Sequence, residues 1–342
     1  MAPPPPELMP ELVGEILLRL PPDEPEHLLL AALVCKPWFR TLCNPAFRRR
    51  YHAFHRTPPL LGFLHRLQVI QGDPPQLLAP TTAAPLPPYP NCHRTRLLDC
   101  RHGRVLIHVG DDYWHFIVWG PVTGDEQRLP EPGFIPVSAY SSETGEWSVP
   151  VSLGDDCEAY VKHQQSATER SYYTPYVQPR WGAVIGDEIY FTLRRGNAIV
   201  KYDWSYNCLS MISPQSLVVY SSRISLMVTE DSSLGFACIG GSNLFLWSRK
   251  VNSQGAPEWV QCRVIDLEKI IPVADSSDER LVVGSAEGVG VIFISTGVGL
   301  FMIELKSGRV RKVDVPGVYF SILPYMSFYT PDHCRLSSVA KD

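Results

Sequence analysis

The sequence predicts an α+β protein of two unequal parts: a small three-helix module over residues 7–50 and an all-β region of repeated four-strand units over 96–332. Three observations carry this. Apolar residues fall at helical spacing in the first fifty positions, most of the 32 prolines lie before residue 95, and beyond Arg96 short apolar runs alternate with Gly, Asp and Asn turns. A chain of 342 residues exceeds one typical domain, and 45% hydrophobic against 19% charged residues can fill a sizeable core.

In the first helix Leu8, Leu12, Ile16 and Leu20 step by four, with Val13 and Leu17 on the adjacent track, forming one broad apolar stripe. Pro10 suits a first turn, Glu11 complements the positive end of the helix dipole, and Pro21-Pro22 end the helix. A second helix runs from about Pro25 through Cys35 until Lys36-Pro37 breaks it, and a third carries Trp38, Phe39 and Leu42 before Asn44-Pro45. Three short helices bury too little area to be robust alone, so a partner surface is expected.

Residues 51–95, with Pro58-Pro59, Pro74-Pro75 and Pro85 through Pro90, read as a Pro-rich linker with little regular structure, and 333–342 as a tail. The β region then repeats a unit of apolar run, Gly/acidic turn and further apolar runs. One copy is Trp181-Gly182-Ala183-Val184-Ile185-Gly186-Asp187-Glu188-Ile189-Tyr190-Phe191 with Ile199-Val200-Lys201-Tyr202-Asp203-Trp204. Others begin at Leu226 and Leu281, and a weaker first copy begins at Leu97. The turns of the last three recur at roughly 43 to 57 residues, the period of four-stranded blades, which predicts a propeller-like (kelch- or WD-like) ring. A β-sandwich with long loops is the alternative.

A formal net charge of -4 offers no footprint for phosphate backbones, so nucleic acid is not an expected partner. The nine cysteines are odd in number and contain no Cys-x-x-Cys pair, and Asn-x-Ser/Thr is absent, which points to a reducing compartment. The first residues lack a positive segment followed by an apolar one, so no signal peptide is expected. The apolar uncharged stretch from Gly288 to Ile303 is shorter than the roughly 18–20 residues of a membrane span and reads as two strands joined by a turn. The expectation is a soluble protein of the cytoplasm and/or nucleus, away from membranes.

Signals of chemistry are weak. Gly284-Ser285-Ala286-Glu287-Gly288-Val289-Gly290 lacks the Lys-Ser/Thr and the helix of a phosphate loop, and reads as turn glycines between strands. Cys92, His93, Cys100 and His102 match no metal-finger spacing, and His52 with His55 has no acidic partner placed by sequence. No catalytic residue, cofactor or metal is expected. Arg48-Arg49-Arg50 reads as a solvated helix end. The aromatic, proline-broken stretch with Tyr172, Tyr173, Tyr176 and Trp181 is the candidate target-binding loop, packing between blades being the alternative.

Leu8-Met9-Pro10-Glu11-Leu12-Val13-Gly14-Glu15-Ile16-Leu17-Leu18-Arg19-Leu20-Pro21 with Leu33-Val34-Cys35-Lys36-Pro37-Trp38-Phe39-Arg40 resembles an F-box. The β region, through Leu98-Asp99-Cys100-Arg101-His102-Gly103-Arg104, Pro121-Val122-Thr123-Gly124-Asp125, Tyr140 to Trp147 and Met326 to Pro331, resembles the associated domain of plant F-box proteins. It departs between Arg128 and Tyr140, where relatives carry further strands, leaving an intact second blade and closure of the ring open. The resemblance implies a substrate-recognition subunit of a Skp–cullin–F-box ubiquitin ligase, non-catalytic itself, bound to a Skp-type adaptor and through it to a cullin. Pro10, Leu12, Ile16, Leu17, Leu20, Val34, Cys35 and Trp38 would contact the adaptor, and the β region would hold an unidentified target protein. A non-degradative F-box scaffold and a propeller-fold enzyme are the rival readings.

Overall fold

The computed structural model describes residues 9–67, 78–81, 95–110, 114–129, 137–141, 143–153, 182–193, 198–212, 224–272, 280–313 and 319–329. The helices are α1 (Pro10–Leu18), α2 (Pro25–Val34), α3 (Lys36–Cys43) and α4 (Pro45–His55). Each has proline in its first two positions, where the missing N–H costs no hydrogen bond and the fixed φ suits a helix start. The count of three is therefore corrected to four. Asn44-Pro45 ends α3 and also starts α4, with the Asn44 side chain accepting from the Ala46 N–H at 2.8 Å.

Val13, Leu17, Leu18, Leu28, Ala31, Ala32, Leu42, Phe47 and Tyr51 form the core of this helical module. Three polar contacts bind α4 to α1 and the turn that follows it. The Tyr51 hydroxyl donates to the Leu20 carbonyl at 2.8 Å, His55 Nε2 lies 2.9 Å from the Leu18 carbonyl, and Arg50 pairs with Glu15 at 2.6 Å. Arg50, read from sequence as part of a solvated end, thus ties two helices together.

The strands are β1 (Leu60–Leu67), β2 (Leu78–Pro80), β3 (Thr95–Arg101), β4 (Arg104–Gly110), β5 (Trp114–Trp119), β6 (Glu126–Leu129), β7 (Tyr140–Ser141) and β8 (Glu146–Trp147). There follow β9 (Ala183–Ile185), β10 (Glu188–Thr192), β11 (Ile199–Asp203), β12 (Cys208–Ile212), β13 (Ser225–Val228), β14 (Leu234–Gly240), β15 (Asn243–Val251) and β16 (Pro257–Asp266). The last are β17 (Leu281–Ala286), β18 (Val291–Thr296), β19 (Gly299–Glu304), β20 (Val310–Val313) and β21 (Tyr319–Met326). Four sheets are antiparallel four-strand meanders, β3 to β6, β9 to β12, β13 to β16 and β17 to β20, one for each repeat read in the sequence. With a fifth sheet ordered β2-β1-β21, the described residues give a five-bladed, propeller-like arrangement rather than a sandwich.

The fifth sheet corrects the linker. Within 51–95, residues 51–55 complete α4, while β1 and β2 are blade strands. β1 pairs antiparallel with β21 from Leu60↔Met326 to Leu67↔Tyr319, so strands from opposite ends of the β region close the arrangement. Of the prolines within 51–95, Pro58 and Pro59 lie just before β1 and Pro80 lies on the edge strand β2, where a missing N–H is tolerated, so they do not prevent a sheet. The interval after Leu129 yields only the two-strand pair β7–β8 and a Val137↔Val151 bridge among its described residues.

Apolar side chains fill the seams between neighbouring blades. Leu61, Leu64, Leu97, Val105, Ile107, Trp119 and Leu323 join the closing sheet to β3–β6, and Phe63, Val283, Phe293, Tyr319 and Ile322 join it to β17–β20. Similar clusters lie between β13–β16 and its neighbours on both sides. Between β3–β6 and β9–β12 there is a polar link: Arg101 bonds Asp99 at 3.0 Å, Glu287 at 3.3 Å and the Gly182 carbonyl, so one side chain ties three blades.

The helical module sits at the end of the ring where β3–β4 and β17–β18 turn. Four residues, Arg56 to Pro59, separate α4 from β1. Thr57 lies beside Gly288, the Ser327 N–H donates to the Pro59 carbonyl at 3.3 Å, and the Tyr325 hydroxyl donates to the Gly103 carbonyl at 3.3 Å. Just past β21, Phe328 stacks on His52 at 4.4 Å and meets Tyr51 edge-on at 6.0 Å. The Gly-rich stretch 284–290 is the end of β17 and its hairpin turn, with Gly288 and Gly290 at positive φ.

Candidate docking surface

The apolar residues of α1 serve two faces. Val13, Leu17 and Leu18 are buried in the module, whereas Leu12 and Ile16 remain 50% and 49% exposed beside an exposed Met9. On α2 the division recurs, with Leu28, Ala31 and Ala32 inside and Leu30, Leu33 and Val34 outside, Leu33 being 73% exposed. Helix geometry makes this unavoidable. Residues four apart share a face, so a helix whose apolar residues spread over adjacent tracks can turn only part of them toward its own core. The remaining apolar flanks are excess that a partner could cover.

The eight sequence-predicted contact residues divide accordingly. Pro10, Leu12, Ile16, Val34 and Cys35 are exposed. Cys35 is extended and precedes α3, so the Val34-Cys35 bend stands between two helices. Leu20 and Trp38 are partly buried against the module core. Leu17 is the exception: at 1% exposure it belongs to the core and is out of reach of a partner. The sequence could not separate it from Ile16, because adjacent tracks of one stripe look alike until neighbouring helices choose between them. Leu30 and Leu33 were missed for a related reason. α2 is apolar nearly all round, so its sequence does not mark an outer face.

Tyr172, Tyr173, Tyr176 and Trp181 lie outside the described residues. Cys100 is buried, and burial pushes its thiol well above the ordinary range. Among the described residues no group of three or more His, Cys, Asp or Glu is placed to hold a metal ion, and no helix is long and apolar enough to cross a membrane.

No family model matches the chain, and no curated protein matches it. Among solved structures, it is similar to the extracellular domain of a one-component system of B. thetaiotaomicron at 12% identity and TM-score 0.28, over 66% of this chain and 24% of that one. The extracellular domain of a hybrid two-component system of the same organism aligns at 13% identity and TM-score 0.36, over 65% and 28%. The β-propeller domain of Swd1 of Myceliophteria thermophila aligns at 14% identity and TM-score 0.29, over 66% and 61%. The chain thus spans less than two thirds of each of these proteins. Such distant likenesses carry no weight for function, and the ring rests on its own strand order and seams.

Proposed function

We propose that this chain is the substrate-recognition subunit of a Skp–cullin–F-box ubiquitin ligase. The helical module docks on a Skp-type adaptor, which hangs from a cullin, and the blade region holds a target protein. The carrying observation is the apolar flank left exposed on α1 and α2, at Leu12, Ile16, Leu30, Leu33 and Val34, in a module whose own core is complete. Its sequence resemblance to an F-box supplies the kind of partner. An amphipathic helix pair offering several apolar side chains is a common way for a small module to gain affinity.

The join between the parts supports the same reading. A four-residue connection, with Pro59 pinned by Ser327 and α4 met by Phe328, joins the helices closely to the ring. A receptor that brings a target to a ubiquitin-charged enzyme gains by raising effective concentration, and a stiff join preserves that gain where a loose one dilutes it. The bond-making chemistry belongs to other subunits.

The test is calorimetric binding of purified Skp-type adaptor to the full chain and to Leu12→Ala with Ile16→Ala. The two exposed halves amount to about one buried aliphatic side chain, so the variant should lose ~1.5–3 kcal/mol, roughly 10- to 150-fold in Kd, with little change in melting temperature. Equal affinity of the two proteins would overturn the proposal.

A further inference from the structure

The tip of the β11–β12 hairpin, Asp203-Trp204-Ser205-Tyr206-Asn207, is pinned from beneath while its large side chains stand in solvent. The Trp204 N–H donates to the Asp187 carbonyl at 3.1 Å, and the Tyr206 N–H donates to Asp203 Oδ1 at 3.1 Å. Ser205 Oγ donates to Asp187 Oδ2 at 2.7 Å, and the Tyr202 hydroxyl donates to Asn207 Oδ1 at 2.8 Å. Asn207 Nδ2 donates to the Val149 carbonyl at 3.0 Å, fastening the segment that follows β8 to the tip. That segment is also anchored where Leu153 packs on the cluster of Leu193, Ala198 and Val200. Tyr206 is 81% exposed, Val149 75% and Trp204 38%. These side chains sit on a backbone already ordered, so a partner would meet little of the entropy cost of arranging them.

Charge narrows the choice of partner. Asp187 and Asp203 flank the tip, and each carboxylate accepts its bond from the tip through one of its two oxygens. The nearby cations are engaged elsewhere: Lys201 Nζ lies 2.6 Å from Glu188 Oε1, and Arg249 acts electrostatically on the same carboxylate. Tyrosine and tryptophan faces attract ammonium and guanidinium groups, and free carboxylate oxygens accept their N–H donors. An acidic segment would be repelled here, and a purely aliphatic one would desolvate two carboxylates without pairing them.

We infer that this tip captures an extended segment bearing arginine or lysine, and, resting on the proposed receptor role, that such a segment belongs to the target protein. The test uses the full chain and fluorescence anisotropy with a labelled Gly-Ser peptide carrying three arginines, beside versions carrying three glutamates or three leucines. The arginine peptide should bind and weaken with added salt. Tyr206→Ala should cost about fivefold in Kd, and Tyr206→Lys, at a position too exposed to unsettle the fold, should cost more. Equal binding of the three peptides, preference for leucine or glutamate, indifference to both substitutions, or a dimer by light scattering that Tyr206→Ala dissolves would each overturn the inference. Leu12→Ala with Ile16→Ala should leave peptide binding unchanged, and Tyr206→Lys should leave adaptor binding unchanged. Loss of one activity is thereby distinguished from loss of the other.

Discussion

Replacing Phe328 with alanine should loosen the helical module from the ring without melting either. Phe328 lies beyond the last strand, partly buried, with one face on His52 and its edge toward Tyr51. Truncation removes roughly half of a buried phenyl, worth ~1–1.5 kcal/mol. It also removes two ring contacts at ~0.5–1.5 kcal/mol each. The combined loss of ~2–4 kcal/mol raises the population with the junction open by roughly 30- to 700-fold. Hydrogen exchange read by mass spectrometry would report this as faster exchange in α4 and in the first residues of β1. Strands β13 to β16, far along the ring, should keep their protection. Phe328→Leu, which retains most of the apolar contact, should show a smaller change. If α4 exchanged at the same rate in Phe328→Ala as in the parent protein, the ring contacts would not be holding the module and the argument for a stiff join would fail.

Other substitutions probe the same framework. Gly284→Ala would place a Cβ 2.7 Å from the Ile322 carbonyl oxygen, backbone against backbone at the β17–β21 seam, and should cost ~1–3 kcal/mol in denaturant melts. Tyr51→Phe removes the 2.8 Å bond to the Leu20 carbonyl and should lower stability of the helical module by ~1 kcal/mol. Arg101→Met takes away the link among three blades and should cost ~2 kcal/mol, whereas Arg101→Lys, unable to fork to both carboxylates, should recover only part of it. Desolvation first, and the Arg48 charge second, hold the His52 pKa below its ordinary 6.5. The neutral ring is therefore the folded form, so its contribution is full above that value and is lost as pH falls through the depressed one. Stability should decline as pH drops below 6.5, and His52→Gln should flatten that part of the profile.

The sequence by itself determined the local elements. Proline at each helix start, the Asn44 cap and the repeated run-turn-run units are written in neighbouring residues, because capping, turn formation and strand pairing across a hairpin need only short stretches of chain. Pairing between β1 and β21 is different in kind. Its partners stand some 250 residues apart, and the prolines of 51–95 spoke for a linker, whereas Pro58 and Pro59 precede β1 and Pro80 lies on an edge strand. The sidedness of α1 is also a tertiary decision. Leu12, Ile16 and Leu17 have the same apolar character, and only the packing of α3 and α4 turns Leu17 inward while leaving the other two in water. Trp204 was legible as the end of an apolar run, but the exposure of Tyr206 and the second carboxylate beside it, Asp187 of the opposite turn, were settled only by the fold. Local patterns fix which elements form. Which of their faces stay free for a partner is set by contacts between residues distant in the chain, and no pattern of spacing encodes those.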